Sequence, residues 1–238
     1  FVNSFVKYQW EGDIFFSNSE NTRSLGVAFL IRKNLDCEVL LNKELIKGRV
    51  IELQMKIDDN IFNIINVYAF NVESLRRDLF DFLNNYLSDF LPDDNYFVCG
   101  DFNVISNSID KYNNLLADSS RRHFISLVDT HTLHDVWREG HPDIIEFTWR
   151  RFVNNILIQS RIDKILCSDS ANHFIKYSAI VPFVWSDHDL VSSAIDFSEV
   201  TRGKGIWHFN HELLSNDVYR KDIITCIDAM KCIPDFDD

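Results

Sequence analysis

The chain has 238 residues, 46% of them hydrophobic and 20 of them Phe, enough for one large domain or two small ones with a substantial core. Its net charge of −12 is unlike that of a generic nucleic-acid binder, and only 7 Gly and 4 Pro exclude collagen-like or low-complexity organisation. Asn and Asp interrupt every apolar stretch before it reaches the length of a membrane span, and five scattered cysteines without a C-x-x-C pair indicate reduced thiols of an intracellular protein.

Residues 25–32 (LGVAFLIR) and 50–57 (VIELQMKI) read as strands, and 61–68 (IFNIINVY) as a third. The polar turn Asp58-Asp59-Asn60 between the last two predicts a hairpin. The period then changes. Leu75, Leu79, Phe82, Leu83, Tyr86, Leu87 and Phe90 recur at three- and four-residue steps, one face of a long helix ending near Pro92. Residues 96–99 follow as a buried strand, and Ser119 or Ser120 caps a second helix carrying Phe124, Leu127 and Val128. Further strands are predicted at 146–150, 161–166, 178–184 and 190–197. Strands outnumber helices, which predicts two packed sheets with helices outside, in a single domain over residues 1–200. The polar break at 201–205 (TRGKG) opens a linker, 201–238, with a weakly amphipathic helical pattern over 212–230.

Three short segments place carboxylates where a core sheet meets solvent. In residues 96–103 (YFVCGDFN), alternation sets Asp101 and Asn103 on one side of a buried strand. The pair can hold a water or a metal ligand, or it can be an Asx turn that ends the strand. Asp163 shares a strand face with Ile165, so its charge points inward and needs a partner, either Arg161 or His188. A carboxylate holding an imidazole raises its pKa and fixes its orientation, which suits donation to a phosphate oxygen. Ser186-Asp187-His188 is a polar break between apolar runs, a loop in which Asp187 and His188 can flank one phosphate. Tyr68 ends another strand in the same fashion, as a phosphate donor or as a buried structural tyrosine. His131-x-x-His134 lacks a Cys or Glu to complete a zinc set and reads as structural, and Cys99 and Cys167 read as buried small hydrophobes. The set suits metal-assisted attack on a phosphodiester; a Ser or Cys nucleophile would need a base beside it.

Taken in order, Asn66-Val67-Tyr68-Ala69-Phe70-Asn71, Gly100-Asp101-Phe102-Asn103, Phe147-Thr148-Trp149, Ser160-Arg161-Ile162-Asp163-Lys164-Ile165-Leu166 and Ser186-Asp187-His188 resemble the endonuclease/exonuclease/phosphatase superfamily. The resemblance is closest to the endonuclease domain of non-LTR (LINE-type) retrotransposon proteins. Residues 202–210 (RGKGIWHFN) are similar to the segment that precedes the reverse transcriptase in those proteins.

The resemblance implies an α/β fold, a four-layered, deoxyribonuclease-like sandwich of two mixed β-sheets flanked by helices. It implies that Asp101 orients or activates the attacking water with Asn103 assisting, and that His188, supported by Asp163, contacts the scissile phosphate. Tyr68 and Asn71 would bind that phosphate, and Asp187 would belong to the metal site. Mg2+ is the implied cofactor, with Mn2+ as a substitute. The implied partners are double-stranded DNA and a downstream reverse transcriptase, in the nucleus and with no membrane.

Phe70 stands where the family has proline. The family's first strands, one with an Asn and one ending in the principal metal-binding Glu, should precede Trp10, and residues 1–9 carry neither motif. That predicts weak magnesium binding and little nicking by this chain. Two readings compete with a retroelement endonuclease: an apurinic-site endonuclease or phosphatase of the same superfamily, and a non-catalytic remnant.

Overall fold

A computed structural model describes residues 10–18, 26–111, 118–196 and Lys221. The chain separates into two compact units, Phe1–Glu199 and Val200–Asp238. Apart from Lys221, the predicted tail helix lies outside the described residues, as does the segment at 201–210.

In the first unit, β1 (Gly12–Asn18) and β2 (Gly26–Arg32) form an antiparallel ribbon. Next come β3 (Glu38–Ile46), β4 (Val50–Ile57) and β5 (Asn60–Tyr68), then the helix α1 (Glu73–Leu87), then β6 (Asn95–Asp101). The turn between β4 and β5 closes as a hairpin with Asp58 left-handed at φ 52. A 3-10 turn at Ser108–Asp110 leads to α2 (Ser120–Thr130), the short β7 (His134–Asp135) and α3 (Val136–Gly140). The hairpin β8 (Trp149–Val153) and β9 (Ile156–Ser160) precedes β10 (Asp163–Cys167), α4 (Asp169–Asn172), β11 (Ile175–Val181) and β12 (Leu190–Ile195).

Six strands form one mixed sheet in the order β3-β4-β5-β6-β10-β7, in which β5 and β6 run parallel and the other neighbours antiparallel. α1 follows β5 directly and crosses over to β6, the connection that parallel neighbours require. Strand periodicity divides the residues between two apolar layers. Ile65, Val67, Tyr96, Val98 and Leu166 pack with Leu79, Phe80 and Leu83 of α1 and Phe124 and Leu127 of α2. Phe62, Phe97 and Cys167 face the other way, toward Ile31, Phe15 and Phe29 of the first ribbon and Phe174.

The second expected sheet takes the form of three separate two-stranded ribbons, β1-β2, β8-β9 and β11-β12, among the described residues. Apolar side chains attach the first of these to the six-stranded sheet, as β2 packs on β4 and β5. β12 likewise packs on β10.

Candidate active site

Register sets the site. Tyr68 pairs with Asp101 across β5 and β6, and Asp101 pairs with Asp163 across β6 and β10. Directly opposed residues share a face, so the three side chains form a row across three central strands at one end of the sheet. Gly100 permits this row. Its φ is +129, and a Cβ there would lie 2.0 Å from the carbonyl oxygen of Val67, its partner on β5.

Just past β6, Asn103 turns left-handed at φ 50, a conformation that Asn tolerates better than most residues. Its backbone N–H donates to Asp101 Oδ1 at 2.8 Å, the Asx turn, and its side-chain amide donates to Ala69 O at 2.9 Å and Asp101 Oδ2 at 3.2 Å. Turn and site are thus the same structure. Asn71 lies three residues beyond Tyr68, exposed at the same end of β5, its carbonyl held by Arg76 at 3.1 Å.

Of the two partners open to Asp163, the structure selects His188, whose Nδ1 lies 2.9 Å from Oδ2 and 3.2 Å from Oδ1. Arg161 instead donates to Asp110 and Asp135 in a buried network that also takes in Arg138. Ligand atoms of Asp101, Asp163 and His188 all lie within 4.8 Å of one another. Asp187 stays outside that cluster; its exposed carboxylate accepts from Trp149 Nε1 at 3.2 Å. The groups that converge are therefore Asp101, Asp163 and His188.

Burial, and then the charge of Asp163, push the Asp101 carboxyl up to about 6, with the Asn103 N–H and His188 pulling the other way. The bond to Asp163 raises His188, against the opposing effect of burial. The site therefore holds an uneasy carboxylate beside an imidazole that favours its charged form.

Three supporting residues had no role assigned in the sequence reading. Thr148, fully buried, receives the backbone N–H groups of Ile162 at 3.1 Å and Asp163 at 3.0 Å on its hydroxyl, while its carbonyl accepts from Asp189 N at 2.7 Å. It ties the strand of Asp163 to the loop of His188, and its signal was the Phe147-Thr148-Trp149 motif. Arg49 donates to the carbonyls of Tyr68 at 3.2 Å and Ala69 at 3.3 Å, and its guanidinium lies 4.7 Å from the Tyr68 ring and 4.3 Å from the Phe70 ring. Phe70, the departure from proline, thus serves as one wall of an arginine slot. Asp110 gave no signal, since its partners lie far away in sequence. Residues His131 and His134 do not share a helix face: His131 caps α2 and meets Asn84 O at 2.9 Å, while His134 bonds Glu139 and Asp169. A depression of about 630 Å³ lined by Lys43, Glu52, Tyr86 and Asn60 lies at the opposite end of β5 and shares no residue with the row.

Residues 3–188 match the Endonuclease/Exonuclease/phosphatase family. The chain belongs to that family. It is 31% identical over 215 residues, 90% of its length, to the 149 kDa protein of transposon TX1 from Xenopus laevis, and it spans 16% of that protein. Among solved structures, the endonuclease domain of TRAS1, a telomere-specific non-LTR retrotransposon, superposes with a TM-score of 0.63 at 14% identity, over 79% of this chain and 81% of that one. An AP endonuclease from Archaeoglobus fulgidus gives 0.60 at 22% identity, over 77% and 79%. The 3'-5' exonuclease NExo from Neisseria meningitidis gives 0.60 at 22%, over 82% and 83%. The fold is the family's deoxyribonuclease-like α/β sandwich.

Members of this family are typically dependent on a divalent metal, and the donor set fits one in part. Two carboxylates within reach of each other, one of them unneutralised and raised toward neutrality, form a site that a hard cation would relieve. Asp101 is the better donor, because Asp163 already engages His188 through both oxygens.

Proposed function

We propose that the chain is the endonuclease domain of a non-LTR retroelement protein, acting in the nucleus. It hydrolyses a phosphodiester of double-stranded DNA to leave a 3′-hydroxyl that a downstream reverse transcriptase extends. The observation that carries the chemistry is the Tyr68-Asp101-Asp163 row with His188 bound to its last member. The likeness to the TX1 protein favours the retroelement setting over repair.

Asp163 occupies Nδ1 of His188, which leaves Nε2 to meet a phosphate oxygen. The bond to Asp163 raises the imidazole's pKa and so favours a proton there, which offsets charge that builds on the phosphoryl group. Asp101 faces the same point and orients the attacking water, its own orientation fixed by Asn103. Tyr68 and Asn71 line the same end of β5 and bind non-bridging oxygens. Mg2+ or Mn2+ would be held chiefly by Asp101 and, when bound, would supply Lewis-acid stabilisation and lower the pKa of the attacking water.

Nicking of supercoiled plasmid at high Mg2+ or Mn2+ tests the reading, with polymerase extension of the product reporting its 3′ end. Expected is slow, metal-dependent nicking with extendable ends, reduced about 100-fold or more by His188→Ala. Nicking that survives His188→Ala, or ends that a polymerase cannot extend, would overturn it.

A further inference from the structure

Two of the most exposed apolar side chains in the described residues are neighbours, Val184 at 85% and Trp185 at 86%. Both sit in the turn that carries His188. The turn is pinned by polar bonds at its base: Phe183 N donates to Asp189 Oδ1 at 2.9 Å, Ser186 N to Phe183 O at 3.3 Å, and His188 N to Ser186 Oγ at 3.0 Å. Asp189 is itself buried, anchored through its N–H to Thr148 and through its carboxylate to Arg150. The fold therefore holds an indole in water at the tip of a fixed loop, with little of its surface contributing to the core. Trp185 lies three residues before His188, so at most about 11 Å separates their Cα atoms. That distance reaches a base within a nucleotide or two of any phosphate that His188 contacts.

Charge points to the same use. At −12 the chain lacks the cationic footprint that gives most DNA binders their affinity, so a contact independent of phosphate charge has to supply part of it. An exposed aromatic face does so by stacking, which accepts any base but requires that the base be unstacked from its neighbours.

We propose that Trp185 stacks on a nucleobase beside the scissile phosphate, so that the site selects DNA whose bases there are unpaired or readily unstacked. The inference rests on the nuclease reading and names its substrate class.

The test separates binding from cutting. His188→Ala protein is titrated, by anisotropy, with a fully paired duplex and with the same duplex carrying a single-nucleotide bulge labelled with 2-aminopurine. Expected is tighter binding to the bulged duplex together with a change in 2-aminopurine emission. Adding Trp185→Ala should weaken that binding about tenfold or more, the loss of one base–aromatic stack, and abolish the emission change. Trp185→Phe should restore most of both, and thermal melts should coincide for all variants because the side chain is 86% exposed.

Bulge preference unaffected by Trp185→Ala, while the native chain nicks plasmid, overturns the inference and leaves the nuclease reading intact. Trp185-dependent bulge binding without nicking by the native chain does the reverse. Trp185-dependent binding to phosphatidylserine vesicles, with no effect on DNA, also overturns the inference.

Discussion

Replacing Asp110 with Asn removes one charge from the centre of the buried network behind β10. Its carboxylate, with no exposed surface, accepts from Arg161 Nε at 2.8 Å, Arg161 Nη2 at 3.1 Å and Arg138 Nη2 at 2.6 Å. Burial alone would raise the group, but Lys164, Arg161 and Arg138 outweigh it and hold the carboxyl at about 2, against an ordinary 3.8. A depression of that size corresponds to about 2 kcal/mol of stability at neutral pH. The substitution also leaves Asp135 as the one charged partner of Arg161 in this network, and removing a charged partner from a buried ion pair costs up to about 3–5 kcal/mol. Together these place the loss at about 2–5 kcal/mol, or a Tm lower by roughly 5–15 °C for a domain of this size.

The sign with pH follows from the depressed value. The contribution of Asp110 is present above the unfolded pKa near 4 and disappears as pH falls toward 2. Urea unfolding at pH 7 and at steps down to the acid limit of the fold should show the gap between native and Asp110→Asn protein shrinking by about 2 kcal/mol. A gap under about 1 kcal/mol at pH 7, or one that stays constant into acid, would refute the reasoning.

Asp163→Asn should lower the His188 pKa, read by NMR titration of the ring. The stabilisation from this pair is present below the unfolded histidine value and lost as pH rises through the raised one, so the native chain should lose this increment at alkaline pH while the variant does not. Asp101→Asn should raise the Tm at pH 7 in metal-free buffer while abolishing nicking, because it removes a buried carboxylate whose ionised form the fold disfavours. Gly100→Ala should be among the most damaging single substitutions, about 3 kcal/mol or more by denaturant melt, since the new methyl meets the Val67 carbonyl. Arg49→Met should lower kcat with little change in Tm, because it frees the carbonyls of Tyr68 and Ala69 while keeping a side chain against Phe70.

Where apolar residues run together or recur at a regular step, the sequence disclosed the structure. β4 runs from Val50 to Ile57 as its apolar run predicts, and β5, α1, β6 and β10 lie within a few residues of their expected places. β3 escaped notice because it is an edge strand, largely exposed and interrupted by two register shifts, so charged residues break its alternation. β1 and β9 were missed for a related reason: neither shows a clean buried face. In the site, the segments that end strands were legible, because a carboxylate or imidazole after an apolar run is conspicuous. The coupling between them was not. That Thr148 binds the N–H groups beside Asp163, or that Asp110 sits under Arg161, depends on contacts across 15 and 51 positions, which no local pattern encodes.

Tyr68, Asp101 and Asp163 are spaced by the hydrogen-bond ladder, about 4.8 Å per strand, and not by any loop. The Trp185 turn and the β8-β9 hairpin lie on segments outside that ladder. Val184 and Trp185 lie outside the hydrogen bonds that pin the turn, so substitutions there leave the distance between the carboxylates fixed.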